Sequence, residues 1–208
     1  MRKAPILLFF TVFTTFCHAQ GISLFDGQTL RGWKVSDPAY AHLWKVENGL
    51  IIGGDGAGKV PVNSYLVTEK AYKNFEFRCL FKLTGDPSTG MINSGIQYRS
   101  EVKNKDMIGY QADIGEGYWG DIYDEHRRGK LVSGEIGALK EILNPDGWNS
   151  YIIRCTGNRH QLYINGIKTA DYSEKDNSIL QQGVFGVQIH SGGNARIFLK
   201  NIEIEELP

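Results

Sequence analysis

The sequence predicts an all-β fold, an antiparallel β-sandwich in a single domain. Three observations lead to this prediction. Short apolar or alternating runs recur along the chain, whereas the apolar spacing of helices is almost absent. Glycine-rich turn signals separate these runs. Asn165-Gly166 joins two such runs, which is a strong signal for a two-residue hairpin. Many short strands with glycine-rich turns are typical of sandwiches.

The predicted strands begin after residue 43 and continue to the end of the chain. They are Trp44–Ile52, Tyr65–Thr68, Phe75–Leu83, Gly95–Tyr98, Tyr110–Ile114, Ser150–Cys155, Arg159–Ile164, Val184–Ile189, Ala195–Leu199 and Ile202–Leu207. In the predicted hairpin, Gln161–Ile164 precedes the turn and Ile167–Ala170 follows it. Only Ile136–Leu143 has the pattern of a short helix.

Residues 1–19 have the pattern of a secretory signal peptide, which leaves residues 21–208 as the domain. Arg2 and Lys3 give a positive start, and Ile6–Phe16 is apolar but too short to span a membrane as a helix. We therefore expect an exported protein, periplasmic or secreted, with no transmembrane span. Cys17 leaves the alternative of a lipid anchor, but Phe16 precedes it where a small residue is expected.

The composition argues against nucleic acid as a partner. The 208 residues carry 23 Lys and Arg against 23 Asp and Glu, so the net charge is zero. Binding to nucleic acid normally leaves a positive footprint, and none is present. Cys79 and Cys155 both lie in strand-like runs, so a disulfide and two buried thiols are both open from the sequence.

Period-two alternation sorts three of the predicted strands into a polar and an apolar face. The polar positions come in pairs, Gln97 with Arg99, Gln111 with Asp113, and Gln188 with His190. If these strands are neighbours, the six side chains line one polar cleft. The alternative is an ordinary solvated sheet face. The residue types argue against it, because glutamine, arginine, aspartate and histidine are more typical of a binding site, whereas lysine, threonine and serine are more typical of a solvated face.

The segment from Gly109 to Leu131 mixes aromatic rings, charges and glycines. Rings offer flat apolar faces to sugars, and carboxylates, arginine and histidine bond hydroxyl groups or move protons. A carbohydrate is therefore the expected ligand, with Tyr118–Arg128 as a wall of the cleft. The rings expected to stack on sugars are Tyr118, Trp119 and Tyr123.

Several motifs taken together resemble those of the 3-keto-disaccharide hydrolase family, over residues 21–208. They include Leu24-Phe25-Asp26-Gly27, Trp44-Lys45-Val46-Glu47-Asn48-Gly49, Asn93-Ser94-Gly95-Ile96-Gln97-Tyr98-Arg99, Gly147-Trp148-Asn149 and Gly186-Val187-Gln188-Ile189-His190. The resemblance implies a concanavalin A-like antiparallel β-sandwich (jelly roll). It also implies hydrolysis of 3-keto-glycosides or 3-keto-disaccharides by elimination and hydration through an enolate. A direct two-carboxylate hydrolysis and a non-catalytic, lectin-like carbohydrate-binding module are the alternatives.

An elimination beside a ketone needs a base, a group that stabilises the enolate and an acid for the departing oxygen. We assign Arg99 to the enolate or ketone oxygen and His190 to acid or base. The candidate bases are Asp113, Glu125 and Asp124. The residues expected to bind substrate are Gln97, Gln111, Tyr118, Trp119, Tyr123, Asp124, Arg127 and Gln188.

No cofactor is required by the sequence, but a divalent metal such as calcium stays an alternative. Carboxylate and imidazole groups that could converge as ligands are Asp113, Asp121, Asp124, Glu125 and His190. Their spacing matches no recognised metal motif, so which residues would bind an ion is left open.

Overall fold

The computed structural model describes residues 21–208, which form two antiparallel sheets packed face to face. The expected signal peptide, residues 1–19, lies outside the described residues. Within residues 21–208, no helix is both long and apolar enough to cross a membrane. The all-β sandwich expected from the sequence is confirmed.

Fifteen strands follow one another along the described chain. They are β1 (Ile22–Ser23), β2 (Trp33–Val35), β3 (Trp44–Glu47), β4 (Leu50–Gly53), β5 (Ser64–Tyr72), β6 (Phe75–Thr84), β7 (Asn93–Lys103), β8 (Asp106–Gly115), β9 (Ile122–Glu125), β10 (Gly129–Val132), β11 (Asn149–Thr156), β12 (Arg159–Ile164), β13 (Ile167–Ser173), β14 (Gly183–Ile189) and β15 (Arg196–Glu206). Short 3₁₀ helices span Pro38–Leu43, Pro87–Thr89 and Leu139–Glu141. The helix expected over Ile136–Leu143 is thus reduced to a single 3₁₀ turn.

Sheet A contains eight strands, in the order β13-β12-β11-β6-β15-β4-β3, with β1 paired to β15. Sheet B contains seven strands, in the order β10-β9-β8-β7-β14-β5-β2. The strands that carry the predicted polar pairs, β8, β7 and β14, are therefore neighbours in sheet B. Their outer face, turned away from sheet A, is where a shared site is expected.

The core fills the space between the two sheets and follows from strict alternation. In β6, Phe75, Phe77, Cys79 and Phe81 are buried, and the residues that alternate with them are half-buried. Phe185 of β14 lies across the gap and stacks on Phe77, with ring centroids 4.7 Å apart. Burying one such side chain contributes roughly 1.5–3 kcal/mol, so this aromatic layer stabilises the sandwich substantially.

Backbone conformation at asparagines decides where predicted runs divide or join. Asn48 and Gly49 both have positive φ (52° and 75°), so Trp44–Ile52 becomes a hairpin of β3 and β4. Asn165 and Gly166 also have positive φ (49° and 81°), which confirms the predicted hairpin. The last two predicted runs form one strand, β15, whose pairing with β6 shifts register around Asn201.

Cys79 and Cys155 are two free, buried thiols. In the pairing of β6 with β11, Cys79 is opposite Tyr151, and Cys155 is opposite Phe75. Four residues along a strand correspond to about 13 Å. This separation exceeds the ~7 Å that a disulfide tolerates between Cα atoms. Burial raises the pKa of Cys155 to about 12, so this thiol is inert at neutral pH.

Candidate active site

An open cavity lies on the outer face of sheet B. It is lined by Met91, Asn93, Gln111, Asp113, Tyr118, Tyr123, Glu125 and His190. Its volume is about 180 Å³, below the ~300–1,000 Å³ of pockets that hold drug-sized ligands. The cavity therefore suits one sugar ring better than a long oligosaccharide.

Four neighbouring strands deliver the polar residues of the cavity. Gln111 and Asp113 come from β8, whereas Tyr110, Ala112 and Ile114 point into the core, as the alternation predicts. Strand β7 supplies Asn93, β9 supplies Tyr123 and Glu125, and His190 directly follows β14.

Asp113 is the most deeply buried acid of the cavity, with only 3% of its surface exposed. Gln111 donates one hydrogen bond to it, from Nε2 to Oδ1 at 2.5 Å. Burial raises the pKa of Asp113 to about 8, and the charges of Asp121 and Glu125 act in the same direction. At neutral pH this carboxyl group is therefore mostly protonated and can donate a hydrogen bond.

Three glutamines and a tyrosine form a buried row beneath the cavity. Gln97 Nε2 donates to Gln111 Oε1 at 3.0 Å, Gln111 Nε2 lies 3.4 Å from Gln188 Oε1, and Gln188 Nε2 donates to Tyr65 Oη at 3.2 Å. Gln97 and Gln188 do not line the cavity. They hold Gln111, which does, in one orientation. Gly95 allows this, because a Cβ there would lie 2.5 Å from the Gln111 side chain.

Glu125 and His190 provide two further groups able to move protons. Burial raises the pKa of Glu125, and the nearby charge of His126 opposes the shift. His126 Nε2 lies 3.6 Å from Glu125 Oε1 and 3.0 Å from Asp106 Oδ2. His190 Nδ1 lies 2.7 Å from the carbonyl oxygen of Ser191. Since a carbonyl only accepts, Nδ1 carries the hydrogen, and Nε2 of the neutral ring is free to take a proton.

Arg99 does not join this cavity, and the prediction that it shares a face with Gln97 is wrong. Pairing between β7 and β8 shifts between Tyr98 and Glu101, and Arg99 has φ 48° within this bulge. Its guanidinium donates to the Lys73 carbonyl at 2.6 and 2.9 Å and to Gln181 Oε1 at 2.7 Å. The extra residue therefore turns Arg99 into the space between the sheets.

Besides Gln97 and Gln188, three further residues expected to bind substrate lie outside the cavity. Asp124 alternates with Tyr123 and Glu125 on β9 and is fully buried on the inner face. Arg127 and Arg128 donate to its two carboxylate oxygens through Nε, at 2.6 and 2.5 Å. Trp119 is a core residue, 6.3 Å from Phe81 between ring centroids. Of the three predicted stacking rings, only Tyr118 and Tyr123 line the cavity.

These inward-facing residues belong to a second polar group, here called the inter-sheet cluster. Its members are Arg99, Tyr110, Asp124, Arg127, Arg128, His160, Glu174 and Gln181. Glu174 accepts from Arg128 Nη1 and Nη2 at 3.1 and 2.6 Å and from Tyr110 Oη at 2.5 Å. Arg128 thereby holds the pKa of Glu174 well below its usual range.

Sequence reasoning missed residues in both polar groups. His160 alternates with Leu162 and Ile164 on the inner face of β12, so its burial was readable from the pattern. Burial, reinforced by Arg99, lowers the pKa of His160 to about 3, so the ring is neutral. Asn93 shares the period-two positions of Gly95 and Gln97, a signal that predicts its place on the cavity face. No sequence signal identifies Glu174.

Within residues 21–208, no group of three or more His, Cys, Asp or Glu side chains is arranged to hold a metal ion. The acids considered as ligands are divided among different environments. Asp124 faces the inter-sheet cluster, and Asp121 accepts from the Gly134 amide and pairs with Lys130 at 2.5 Å. Only Asp113, Glu125 and His190 of that set line the cavity.

Solved structures at low sequence identity share this fold. A candidate glycosyl hydrolase from Parabacteroides distasonis matches with a TM-score of 0.64 and 21% identity, over 89% of this chain and 93% of that one. The carbohydrate-binding module CBM66 from Bacillus subtilis matches with a TM-score of 0.59 and 14% identity, over 84% and 96%. The exoplasmic domain of VIP36, bound to Ca²⁺ and Man3GlcNAc, matches with a TM-score of 0.63 and 11% identity, over 88% and 87%.

No curated protein sequence matches the chain. A family model does, over residues 20–205, and its description is the 3-keto-alpha-glucoside-1,2-lyase-like domain. This match covers nearly the whole domain and agrees with the resemblance in the sequence motifs. The chain therefore belongs to the family of 3-keto-alpha-glucoside-1,2-lyase-like domains.

Proposed function

We propose that the protein cleaves 3-keto-glycosides by eliminating the anomeric substituent and then adding water. The observation that carries this proposal is that one cavity contains both a group able to donate a proton and a group able to accept one. Asp113 is a protonated carboxyl group at neutral pH, with its pKa raised to about 8, and His190 has an unoccupied Nε2. A protonated carboxyl group and a ring nitrogen that can accept a proton are the two kinds of group that acid–base catalysis needs.

In the first step His190 Nε2 takes the proton from sugar carbon 2, which the neighbouring ketone makes acidic. The C–H electron pair moves toward the ketone and forms an enolate oxygen at carbon 3. Asp113 replaces Arg99 in our assignment, because its O–H can donate to that oxygen from a buried position. The role first given to Asp113, that of base, passes to His190.

In the second step the bond from carbon 1 to the departing oxygen breaks, and a double bond forms between carbons 1 and 2. Glu125, whose pKa burial raises, gives its proton to that oxygen. Water then adds, with its hydroxyl going to carbon 1. Glu125 takes the proton of the water. Protonated His190 exchanges its proton with solvent in the open cavity and then gives a solvent-derived proton to carbon 2. The sum of both steps is hydrolysis, whereas the first alone is a lyase reaction.

The walls of the cavity support binding of a single sugar ring. Tyr118 and Tyr123 are half-buried rings at its margin, and Asn93 and Gln111 offer amides to hydroxyl groups. We place the activity outside the cytoplasm, periplasmic or secreted, because residues 1–19 have the pattern of a signal peptide.

The test is release of the leaving sugar from a 3-keto-disaccharide in deuterated water. We expect deuterium at carbon 2 of the product and a loss of roughly 10²–10⁴-fold in kcat for His190→Ala. His42→Ala, at an exposed histidine away from the cavity, is the matched control and keeps the wild-type rate. Equal rates for the two variants, or product without deuterium, would refute the mechanism.

A carbohydrate-binding module without catalysis is the second candidate function. The observation in its favour is the pair of tyrosines at the margin of a polar cavity, which a lectin also needs. It predicts that 3-keto and unoxidised disaccharides bind with similar affinity and that neither is cleaved. Calorimetry of binding, followed by chromatography of the same samples, separates the two candidates.

A further inference from the structure

The outer face of sheet A, on the opposite side of the sandwich from the cavity, carries aromatic rings covered by cations. We call the group the cationic face, and its members are Lys82, Trp148, Arg196, Phe198 and Lys200. Lys200 Nζ lies 4.2 Å from the centroid of the Trp148 ring, and Lys82 Nζ lies 5.9 Å from it. Lys82 Nζ and Arg196 Cζ lie 4.8 and 4.9 Å from the Phe198 centroid.

Strand register gathers these residues from three neighbouring strands. On β15, Arg196, Phe198 and Lys200 alternate with the buried Ile197 and Leu199, so all three point outward. Lys82 of β6 is directly opposite Phe198. Trp148 immediately precedes Asn149 of β11, which is opposite Phe81 of β6. The cationic face is thus a continuous patch across β11, β6 and β15.

The positive charge of this patch is not balanced by ion pairs. Among the described residues, no carboxylate lies within 4 Å of the charged nitrogens of Lys82, Arg196 or Lys200. The charge of Arg196 does act on Glu47 and Asp55, so the excess is carried by the two lysines. The other half of the same sheet face differs, because Arg78 there pairs with Glu76 and Glu205. A charge excess confined to one half of a face favours an anionic partner.

The shape of the patch distinguishes between classes of anionic partner. Trp148 and Phe198 are half-exposed and lie beneath their cations, and neither belongs to the strongly exposed large apolar residues of the described chain. A helix or loop that inserts into a membrane presents protruding apolar side chains. Flat rings flanked by ammonium groups instead suit a sugar ring that carries a carboxylate.

We propose that the cationic face binds an acidic polysaccharide, in which a uronate carboxylate pairs with Lys82 or Lys200 and the sugar ring packs against the part of Trp148 that these cations leave exposed. This activity is separate from the cavity on sheet B. The protein would then hold an anionic glycan on one side while the other side acts on a small sugar.

The experiment measures binding of the full domain to polygalacturonate, with neutral dextran as the comparison polymer. We expect binding to polygalacturonate alone, and its loss in 1 M salt, where the Debye length falls to about 3 Å. Lys82→Glu with Lys200→Glu should weaken it by at least about tenfold. Lys34→Glu with Lys175→Glu changes the net charge equally at exposed lysines elsewhere and should leave it within about twofold.

Trp148→Ala removes a ring without changing the charge, and it should also weaken binding while circular dichroism keeps the wild-type β signal. Three outcomes would overturn the proposal. They are no binding of the wild type to polygalacturonate at low salt, equal losses in the two double variants, and binding to vesicles of anionic lipid without binding to polygalacturonate.

Discussion

Asp113 lies on the outer face of sheet B, whereas Glu174 directly follows β13 of sheet A and bonds Tyr110 on the inner face of sheet B; each has 3% of its surface exposed. Yet burial raises the pKa of Asp113 to about 8, whereas the pKa of Glu174 is held low by Arg128. The difference lies in their partners. Glu174 accepts from a guanidinium, two tyrosine hydroxyls and two backbone amides, and Asp113 accepts from one glutamine amide. Burial alone therefore does not determine the charge of an acid.

The comparison separates a structural role from a chemical one. The inter-sheet cluster satisfies its charges internally, so it has nothing left to offer a ligand. The cavity leaves Asp113 without a cation, which costs stability but keeps a proton available for chemistry. Three variants, in four measurements, break or sharpen this contrast.

The largest expected effect is on folding, from Glu174→Ala. Removing this carboxylate leaves the Arg128 guanidinium partly buried with only Asp124 as an acidic partner. Breaking a buried pair costs about 3–5 kcal/mol. Urea denaturation should show this loss, while Glu69→Ala, at an exposed acid outside any ion pair of the described chain, changes stability little. A loss no greater than in the control would show that the inter-sheet cluster does not stabilise the fold.

Asp113→Asn should have the opposite effect on stability. The folded pKa, about 8, lies above the ordinary 3.8, so between these values the native state binds the extra proton. Stability from this group is therefore fully present below pH ~4 and is lost as pH rises toward 8, by up to about 1.4 kcal/mol per unit. The variant lacks this slope, so its advantage in stability over the wild type should grow by on the order of 3 kcal/mol between pH 5 and 8. Parallel urea curves from pH 5 to 8 check it; an unchanged slope would contradict the raised pKa.

The same variant should change the pH dependence of catalysis. If protonated Asp113 donates to the enolate oxygen, wild-type kcat falls as pH rises through about 8. Asparagine keeps a neutral donor at that place, so the alkaline fall should disappear, with a lower rate throughout. Rates on a 3-keto-disaccharide between pH 6 and 10 decide this. Persistence of the fall in the variant would assign it to another group.

The smallest effect is expected from His126→Gln. The charge of His126 lowers the pKa of Glu125 against the effect of burial, and the pair is 3.6 Å apart with the imidazole 44% exposed. Such exposed pairs contribute about 0–1 kcal/mol. The pH limb that belongs to Glu125 should therefore move upward by less than about one unit. A larger shift, or a downward one, would mean that His126 acts on the cavity by another route.

The sequence was a good guide wherever alternation was unbroken. Gln111, Asp113 and Gln188 lie on the predicted face because β8 and β14 keep period two through these residues. The prediction for Arg99 was wrong because a bulge inserts one residue into β7. Neither composition nor periodicity reveals that the φ of Arg99 is positive. Asp124 and Glu125 could not be separated because β9 was not predicted as a strand. Trp119 was assigned to the wall on its chemistry, whereas burial between the sheets places it in the core.

Gly95 does not line the cavity, but it determines how much space the cavity has. The Gln111 side chain crosses the position that a Cβ of residue 95 would occupy. An alanine there would force the Gln111 amide out of its present position, without adding any group that touches a ligand. The space in the cavity therefore depends on the absence of a side chain at residue 95. The orientation of Gln111, which bonds Asp113, depends on it as well.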